Sequence, residues 1–197
     1  EVTAQEVLAL KPHSILVATG SNVISIPLEG LDQVQTVQAH DVLANDMQFA
    51  NKKVVVIGGG ITGLETALYI NRQGTNQVSV VDMLPEWPVD MLDMRYQNEA
   101  LLEVRHCNDQ GVALFYNNKV VKFADGKLFI ESTKDGEVKE LPADVIVLSV
   151  GVKPNDALWQ ELLASGHPSV WKAGDAIATG KINKAVLHGS KFGYSLN

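Results

Sequence analysis

The feature that most limits what this chain can fold into is the run Val54-Val55-Val56-Ile57, followed at once by Gly58-Gly59-Gly60-Ile61-Thr62-Gly63. Four consecutive branched apolar residues, with no polar position alternating between them, suit a parallel strand covered on both faces. The strand stops at Gly58, and from there Leu64, Ala67, Leu68 and Ile70 recur at helical spacing over 62–73. Gly74 stands where a left-handed cap would close that helix. Val78-Ser79-Val80-Val81 then reads as a second strand. Strand, helix and strand in so short a stretch make a βαβ unit, which requires a parallel sheet.

Gly58, Gly60 and Gly63 form G-x-G-x-x-G at the junction of that strand and helix. A dinucleotide pyrophosphate needs a backbone it can approach without meeting Cβ atoms, together with free N–H donors at the positive end of a helix. Gly58 would permit the tight turn, Gly60 the close approach and Gly63 the helix-to-strand packing; Gly59 and Ile61 complete the turn. A glycine triplet alone is weak. Asp82 strengthens it by ending the second strand 19 positions after Gly63, near the spacing of about 20 at which a carboxylate meets the adenosine ribose hydroxyls. The same charge repels a 2′-phosphate, and Met83, Leu84 and Pro85 supply no Arg or Lys to neutralise one. NADH is therefore expected over NADPH. The competing structural reading makes the glycines a βα turn and Asp82 a polar strand end. Glu65 either complements the helix dipole or points toward the reduced ring or its carboxamide.

The remainder of the chain supports an α/β class. An apolar run over 14–18 ends in Thr19-Gly20 and reads as a buried strand. The segment around His40-Asp41-Val42-Leu43 suits a short helix with Asp41 as its N-cap. A polar helix is expected over 93–109 and a strand over 112–116. Ala124-Asp125-Gly126-Lys127 and Lys134-Asp135-Gly136-Glu137 are hairpin turn signals between short alternating runs, marking an antiparallel meander. Further buried strands are expected over 144–150, ending at Gly151, and over 170–173, ending at Gly174-Asp175, before a C-terminal helix.

Several function classes lose support. With 46% hydrophobic and 20% charged residues the composition is that of a globular domain, and its longest apolar runs are strand-sized, so no membrane span is expected. A formal net charge of -7, with no basic stripe, disfavours nucleic acid. The single cysteine, Cys107, excludes a cysteine-pair redox centre or an iron-sulfur cluster ligated within these residues. A reducing, cytoplasmic setting is expected. His13, His40, His106, His167 and His188 show no metal-ligand spacing, no G-x-S-x-G elbow is present, and no metal site is expected. Trp87, Trp159 and Trp171 are expected in cores or interfaces, Trp87 in a loop beside the nucleotide. A first residue of Glu1 rather than Met leads us to expect a segment of a longer chain.

Taken in order, Ala18-Thr19-Gly20, the stretch from Val56 through Glu65, Val150-Gly151-Val152-Lys153-Pro154-Asn155 and Ala173-Gly174-Asp175 resemble the pyridine nucleotide-disulfide oxidoreductase family over nearly the whole chain. The resemblance implies a Rossmann-like parallel sheet with an antiparallel β-meander, inserted in a truncated FAD-binding domain. The implied divisions are 1–48 and 154–197 for the FAD-binding pieces and crossover, and 49–153 for the NAD(H)-binding domain. It further implies that Thr19, Gly20 and Asp175, with Gly174, belong to the FAD site, that Val150 and Gly151 lie at the crossover, and that the first FAD fingerprint lies upstream. Strands 14–18 and 170–173 would ordinarily pair with that upstream part, so distortion, swapping or partial disorder is expected of them. Among subgroups the chain is most similar to the C-terminal portion of enoate and 2,4-dienoyl-CoA reductases related to old yellow enzyme. That similarity implies electron transfer from NAD(P)H through FAD to an upstream catalytic domain. A non-catalytic NAD(H)-binding or sensing module is the alternative, and no catalytic side chain is assigned.

Overall fold

Val54, Val55, Val56 and Ile57 are all buried, and the two-residue period of a strand sends them alternately to two different cores. Val54 and Val56 join a cluster with Leu64, Ala67 and Ile70 of the following helix. Val55 and Ile57 join another with Phe123, Leu128 and Ile130 of the meander. The strand that the sequence marks most strongly is thus the middle layer of a helix, sheet and meander sandwich. This is observed in a computed structural model of the chain, which describes residues 1–85 and 94–196.

In chain order the elements are α1 (Ala4–Ala9), β1 (Ile15–Val17), β2 (Ser21–Val23), β3 (Gln35–Gln38), α2 (Ala39–Ala44), β4 (Lys53–Ile57), α3 (Ile61–Asn71), β5 (Gln77–Val81) and α4 (Met94–Asp109). They continue with β6 (Ala113–Phe115), β7 (Asn118–Ala124), β8 (Lys127–Ser132), β9 (Val138–Pro142), β10 (Val145–Leu148), β11 (Val152–Pro154), α5 (Ala157–Ala164), β12 (Val170–Lys172) and α6 (Ile182–Ser195). The chain divides into two compact units, one of Ser25–Val150 and one of Glu1–Ile24 with Gly151–Asn197.

The larger unit holds a five-stranded sheet in the order β3-β10-β4-β5-β6, every pair parallel. Counted from β4, the order β6-β5-β4-β10 is 3-2-1-4, the doubly wound arrangement, and its direction of winding reverses between β4 and β10. The meander β7-β8-β9 is antiparallel throughout, with Asp125 and Gly126 both at positive φ (53° and 73°) in its first turn, as a tight hairpin requires.

Two features of this unit differ from expectation. The sheet begins before residue 49, because Gln35–Gln38 pairs in register with β10 from Val145↔Gln35 to Leu148↔Gln38, so the unit starts at Ser25. The α2 helix is preceded by Gln38 at the capping position. Asp41 lies inside its first turn, where a carboxylate faces the helix dipole rather than capping. The expected start of α4 at Asp93, and Trp87 with Pro88, lie outside the described residues.

The stretch from Ile26 to Val34 folds onto the meander. Ile26, Leu28, Leu31 and Val34 pack against the Phe123 cluster, and Phe123 N–H donates to the Glu29 carbonyl at 2.8 Å. Gly30 has φ +80°, and a Cβ there would lie 1.9 Å from the Phe123 carbonyl oxygen.

In the smaller unit β1 pairs in parallel with β12, from Ile15↔Val170 to Val17↔Lys172. The two strands expected to be orphaned therefore pair with each other. Ile15, Val17 and Leu162 form their core, while Leu16 remains 37% exposed and Trp171 43%, so each strand is buried on one face rather than both. Lys172 Nζ lies 2.9 Å from Asp156 Oδ2 and 4.0 Å from the centre of the Trp159 ring, tying β12 to α5.

Two glycines at positive φ should respond differently to an added methyl group. Gly30→Ala suffers both left-handed strain and a backbone collision, and should lower unfolding free energy by about 2–3 kcal/mol in urea titration. Gly126→Ala keeps only the strain, since nothing lies within 4 Å, and should cost about 1 kcal/mol. Cys107 is fully buried; burial first, and the Glu103 carboxylate second, push its thiol up to about 11 from an ordinary 9.0. At pH 8 its alkylation in the folded chain should be about a hundredfold or more slower than in the unfolded chain. Equal rates would show that this core opens freely.

Candidate functional site

The carboxyl ends of β4 and β10 flank the point where the winding of the sheet reverses, and in open α/β sheets that crevice is where ligands bind. The glycine turn occupies it. Gly58 has φ +109°, and a Cβ on it would lie 2.2 Å from the Ser149 carbonyl oxygen, at the end of β10. A Cβ on Gly63 would lie 1.9 Å from the Gly58 carbonyl oxygen. These two glycines are required by protein packing against protein: one lets the chain turn beside β10, the other lets α3 sit directly on the turn.

Gly60 differs. It is exposed, and a Cβ there would meet nothing within 4 Å, so its missing side chain leaves room on the open side of the turn. It precedes Ile61 at the start of α3 with no side-chain cap. The first N–H groups of a helix have no intrahelical acceptor and carry the positive end of its dipole. The arrangement can hold an anion by backbone alone.

Asp82 follows β5 and reaches back into the turn. Its Oδ2 accepts the Gly59 N–H at 2.6 Å and its Oδ1 the Leu84 N–H at 2.8 Å. Its own N–H donates to the Phe115 carbonyl at 2.9 Å. The carboxylate is thus held by backbone donors beside the glycine turn, with lone pairs left to accept hydroxyl hydrogens. Glu65 is exposed on the second turn of α3, and Val150, just past β10, packs on the meander-side core.

The remaining expected site residues lie in the other unit and come together there. β2 and β11 form an antiparallel pair, from Val152↔Val23 to Pro154↔Ser21, and the Ile24 N–H donates to the Gly151 carbonyl at 3.1 Å. Thr19 donates its hydroxyl to the Asn155 carbonyl, and the Asn155 N–H donates to the Gly20 carbonyl at 3.0 Å. Asp175, after Gly174 at φ +61°, accepts the Ser21 hydroxyl at 3.4 Å and the Gly180 N–H at 3.1 Å. The A-T-G, V-G-V-K-P-N and A-G-D segments, far apart in sequence, thus form one hydrogen-bonded cluster.

Two residues at the glycine turn were not anticipated. The Tyr116 Cε1 would lie 3.0 Å from a Cβ on Gly59, and Asn118 donates its side-chain N–H to the Tyr116 carbonyl at 2.7 Å and its backbone N–H to the Asp82 carbonyl at 2.9 Å. Their positions just past β6, the strand that follows the β4-α3-β5 unit and pairs with β5, level with Asp82, are the signal that would have marked them. Among the described residues no three His, Cys, Asp or Glu side chains gather as a metal would need. No helix among them is long and apolar enough to cross a membrane.

The chain is 31% identical to an NADH oxidase of Thermoanaerobacter brockii over 98% of its own length and 29% of that protein. It is 34% identical to a bilirubin reductase of Mediterraneibacter gnavus over 77% of its length and 22% of that protein. A solved 2-naphthoyl-CoA reductase superposes on 98% of the chain with a TM-score of 0.81 at 25% identity, over 28% of its own length. The chain thus spans less than a third of each of these relatives. The family model for pyridine nucleotide-disulphide oxidoreductases, whose members use FAD and NAD(P)H, matches residues 2–189, and the chain belongs to that family.

Proposed function

We propose that this chain is the NADH-binding portion of an FAD-dependent oxidoreductase, taking reducing equivalents from NADH for a downstream acceptor. The observation that carries the reading is the Asp82 carboxylate, 2.6 Å from the Gly59 N–H and so fixed beside an open helix N-terminus. A site of this kind suits an anion flanked by a diol, and an adenosine diphosphate end offers both. The turn's N–H groups and the room at Gly60 fit the pyrophosphate, and Asp82 fits the ribose hydroxyls. Glu65 is assigned to the nicotinamide side, and Val150 and Gly151 to the crossover of the chain. Thr19, Gly20, Gly174 and Asp175, with the hydrogen bonds of their cluster, are assigned to FAD. When bound, NADH supplies a hydride and FAD receives it; the chain's own work is to bind, orient and exclude water, which is a positioning effect.

Asp82 also favours NADH over NADPH, because a 2′-phosphate would bring negative charge against a carboxylate with no Lys or Arg in Met83, Leu84 or Pro85 to offset it. For the final acceptor, the likeness to a 2-naphthoyl-CoA reductase supports an enoate or enoyl-CoA double bond reduced in a part of the protein outside these residues.

Calorimetric titration with NADH, NADPH and FAD tests the reading. NADH should bind about tenfold or more tighter than NADPH, FAD should bind weakly to these residues alone, and Asp82→Ala should weaken NADH by about tenfold, or 1.4 kcal/mol. Asp82→Asn, which removes the charge and keeps the shape, should narrow the gap between the two nucleotides. Absence of NADH binding, or NADH binding indifferent to Asp82, would defeat the proposal.

A further inference from the structure

We infer that Tyr116 is a positioning residue that sets the Asp82 carboxylate and through it the choice between NADH and NADPH, an inference that rests on the function proposed above. Three strand ends meet at one point. A Cβ on Gly59, beyond β4, would lie 3.0 Å from Tyr116 Cε1, 3.2 Å from Asp82 Cβ and 3.2 Å from Asp82 Oδ2. The Tyr116 ring and the Asp82 side chain therefore both close on the same atom-sized space above Gly59, one from beyond β6 and the other from beyond β5.

Both are fixed from behind. The Tyr116 carbonyl accepts the Asn118 side-chain N–H at 2.7 Å, the Asn118 N–H donates to the Asp82 carbonyl at 2.9 Å, and the Asp82 N–H donates to the Phe115 carbonyl at 2.9 Å. Asn118 is itself buried, at 8% exposure. The Tyr116 ring packs on the helix-side core, so it cannot swing away without opening that core. A carboxylate at a strand end has several rotamers within reach. Here the ring fills part of the space above Gly59 that the carboxylate also borders, and the Gly59 N–H holds Oδ2 at 2.6 Å, leaving the negative charge directed at the turn.

Removing the ring enlarges that shared space. The carboxylate can then leave Gly59 for solvent, which costs a ribose diol its acceptor and lifts the charge that a 2′-phosphate must face. Loss of Tyr116 therefore weakens NADH more than NADPH. A methyl group on Gly59, whose φ is not in the left-handed region, should act in the same direction by pressing on both side chains at once. With the ring gone, that methyl presses on Asp82 alone, so the two substitutions should add less than fully.

The test is calorimetric titration of the full 197-residue chain with NADH and NADPH, in the wild type, Tyr116→Ala, Tyr116→Phe, Gly59→Ala and the Gly59→Ala/Tyr116→Ala pair, each checked for cooperative melting. Tyr116→Ala should weaken NADH by about tenfold and bring the two nucleotides within about threefold of each other, while Tyr116→Phe keeps the wild-type ratio. Gly59→Ala should lower the ratio alone and little further in the pair. A Tyr116→Ala chain that keeps the wild-type ratio overturns the inference and leaves the functional proposal standing. A Tyr116→Phe chain as impaired as Tyr116→Ala also overturns it, by assigning the effect to the hydroxyl. If Tyr116→Ala does not melt cooperatively, Gly59→Ala decides: an unchanged ratio there overturns it. A wild type that binds no NADH defeats the functional proposal itself, and this inference with it.

Discussion

A backbone carbonyl at Gly58, with no side chain between it and the first turn of α3, is the contact on which the larger unit depends. The space a Cβ on Gly63 would need is already filled by that oxygen, and the space a Cβ on Gly58 would need is filled by the backbone at Ser149. Three chain segments therefore touch through main chain alone, closer than any side chain would permit. The consequence is directional. Helix α3 must leave the sheet with its first turn seated on the end of β4, so its unpaired N–H groups open at the point between β4 and β10 where the winding reverses. Because Leu64, Ala67 and Ile70 share a core with Val104 and Cys107 of α4 and with Val42 of α2, a displaced α3 would move the whole helical layer.

The same contact explains how a chain of net charge -7 can offer a place for an anion. Long-range attraction is of the wrong sign, and beyond about 8–10 Å it is screened in salt. What remains is local: helix-end N–H groups with roughly half a positive charge between them, presented where Gly60 leaves the surface open. Asp82 stands beside this centre without cancelling it, because its own charge is engaged by the N–H groups of Gly59 and Leu84. On the proposed reading, attraction for a bridging phosphate and repulsion of an additional one coexist because each acts over a single contact distance.

What was legible in the sequence follows from how local the controlling physics is. The β4-α3-β5 unit could be read because its hydrophobic period, its glycines and Asp82 all lie in one short stretch, and the meander could be read from two turn sequences. Strand β3 could not: Gln35-Thr36-Val37-Gln38 is half glutamine, and it becomes a strand through pairing with β10, more than a hundred residues along the chain. The short pair β2 and β11 is polar and exposed for the same reason, each being the other's only partner in that sheet. Asp41 misled because a good capping residue lay one turn too late; the helix begins at Ala39, where the chain leaves β3. Tyr116 and Asn118 stayed invisible because their roles depend on Gly59 and Asp82, which reach them only across the sheet.

The family takes its name from disulphides, yet the one cysteine of these residues sits at 0% exposure in the helical layer, where its Sγ faces the Leu64 carbonyl at 3.9 Å. Burial holds it as a thiol, with a pKa of about 11, so it is neither a nucleophile nor half of an exchangeable pair at neutral pH. Cys107 is a core residue that helps seat α4 on α3. On the proposed function, reducing equivalents pass through a bound cofactor rather than through sulfur of this segment. The family's sheet frame therefore does not by itself fix the chemistry carried on it.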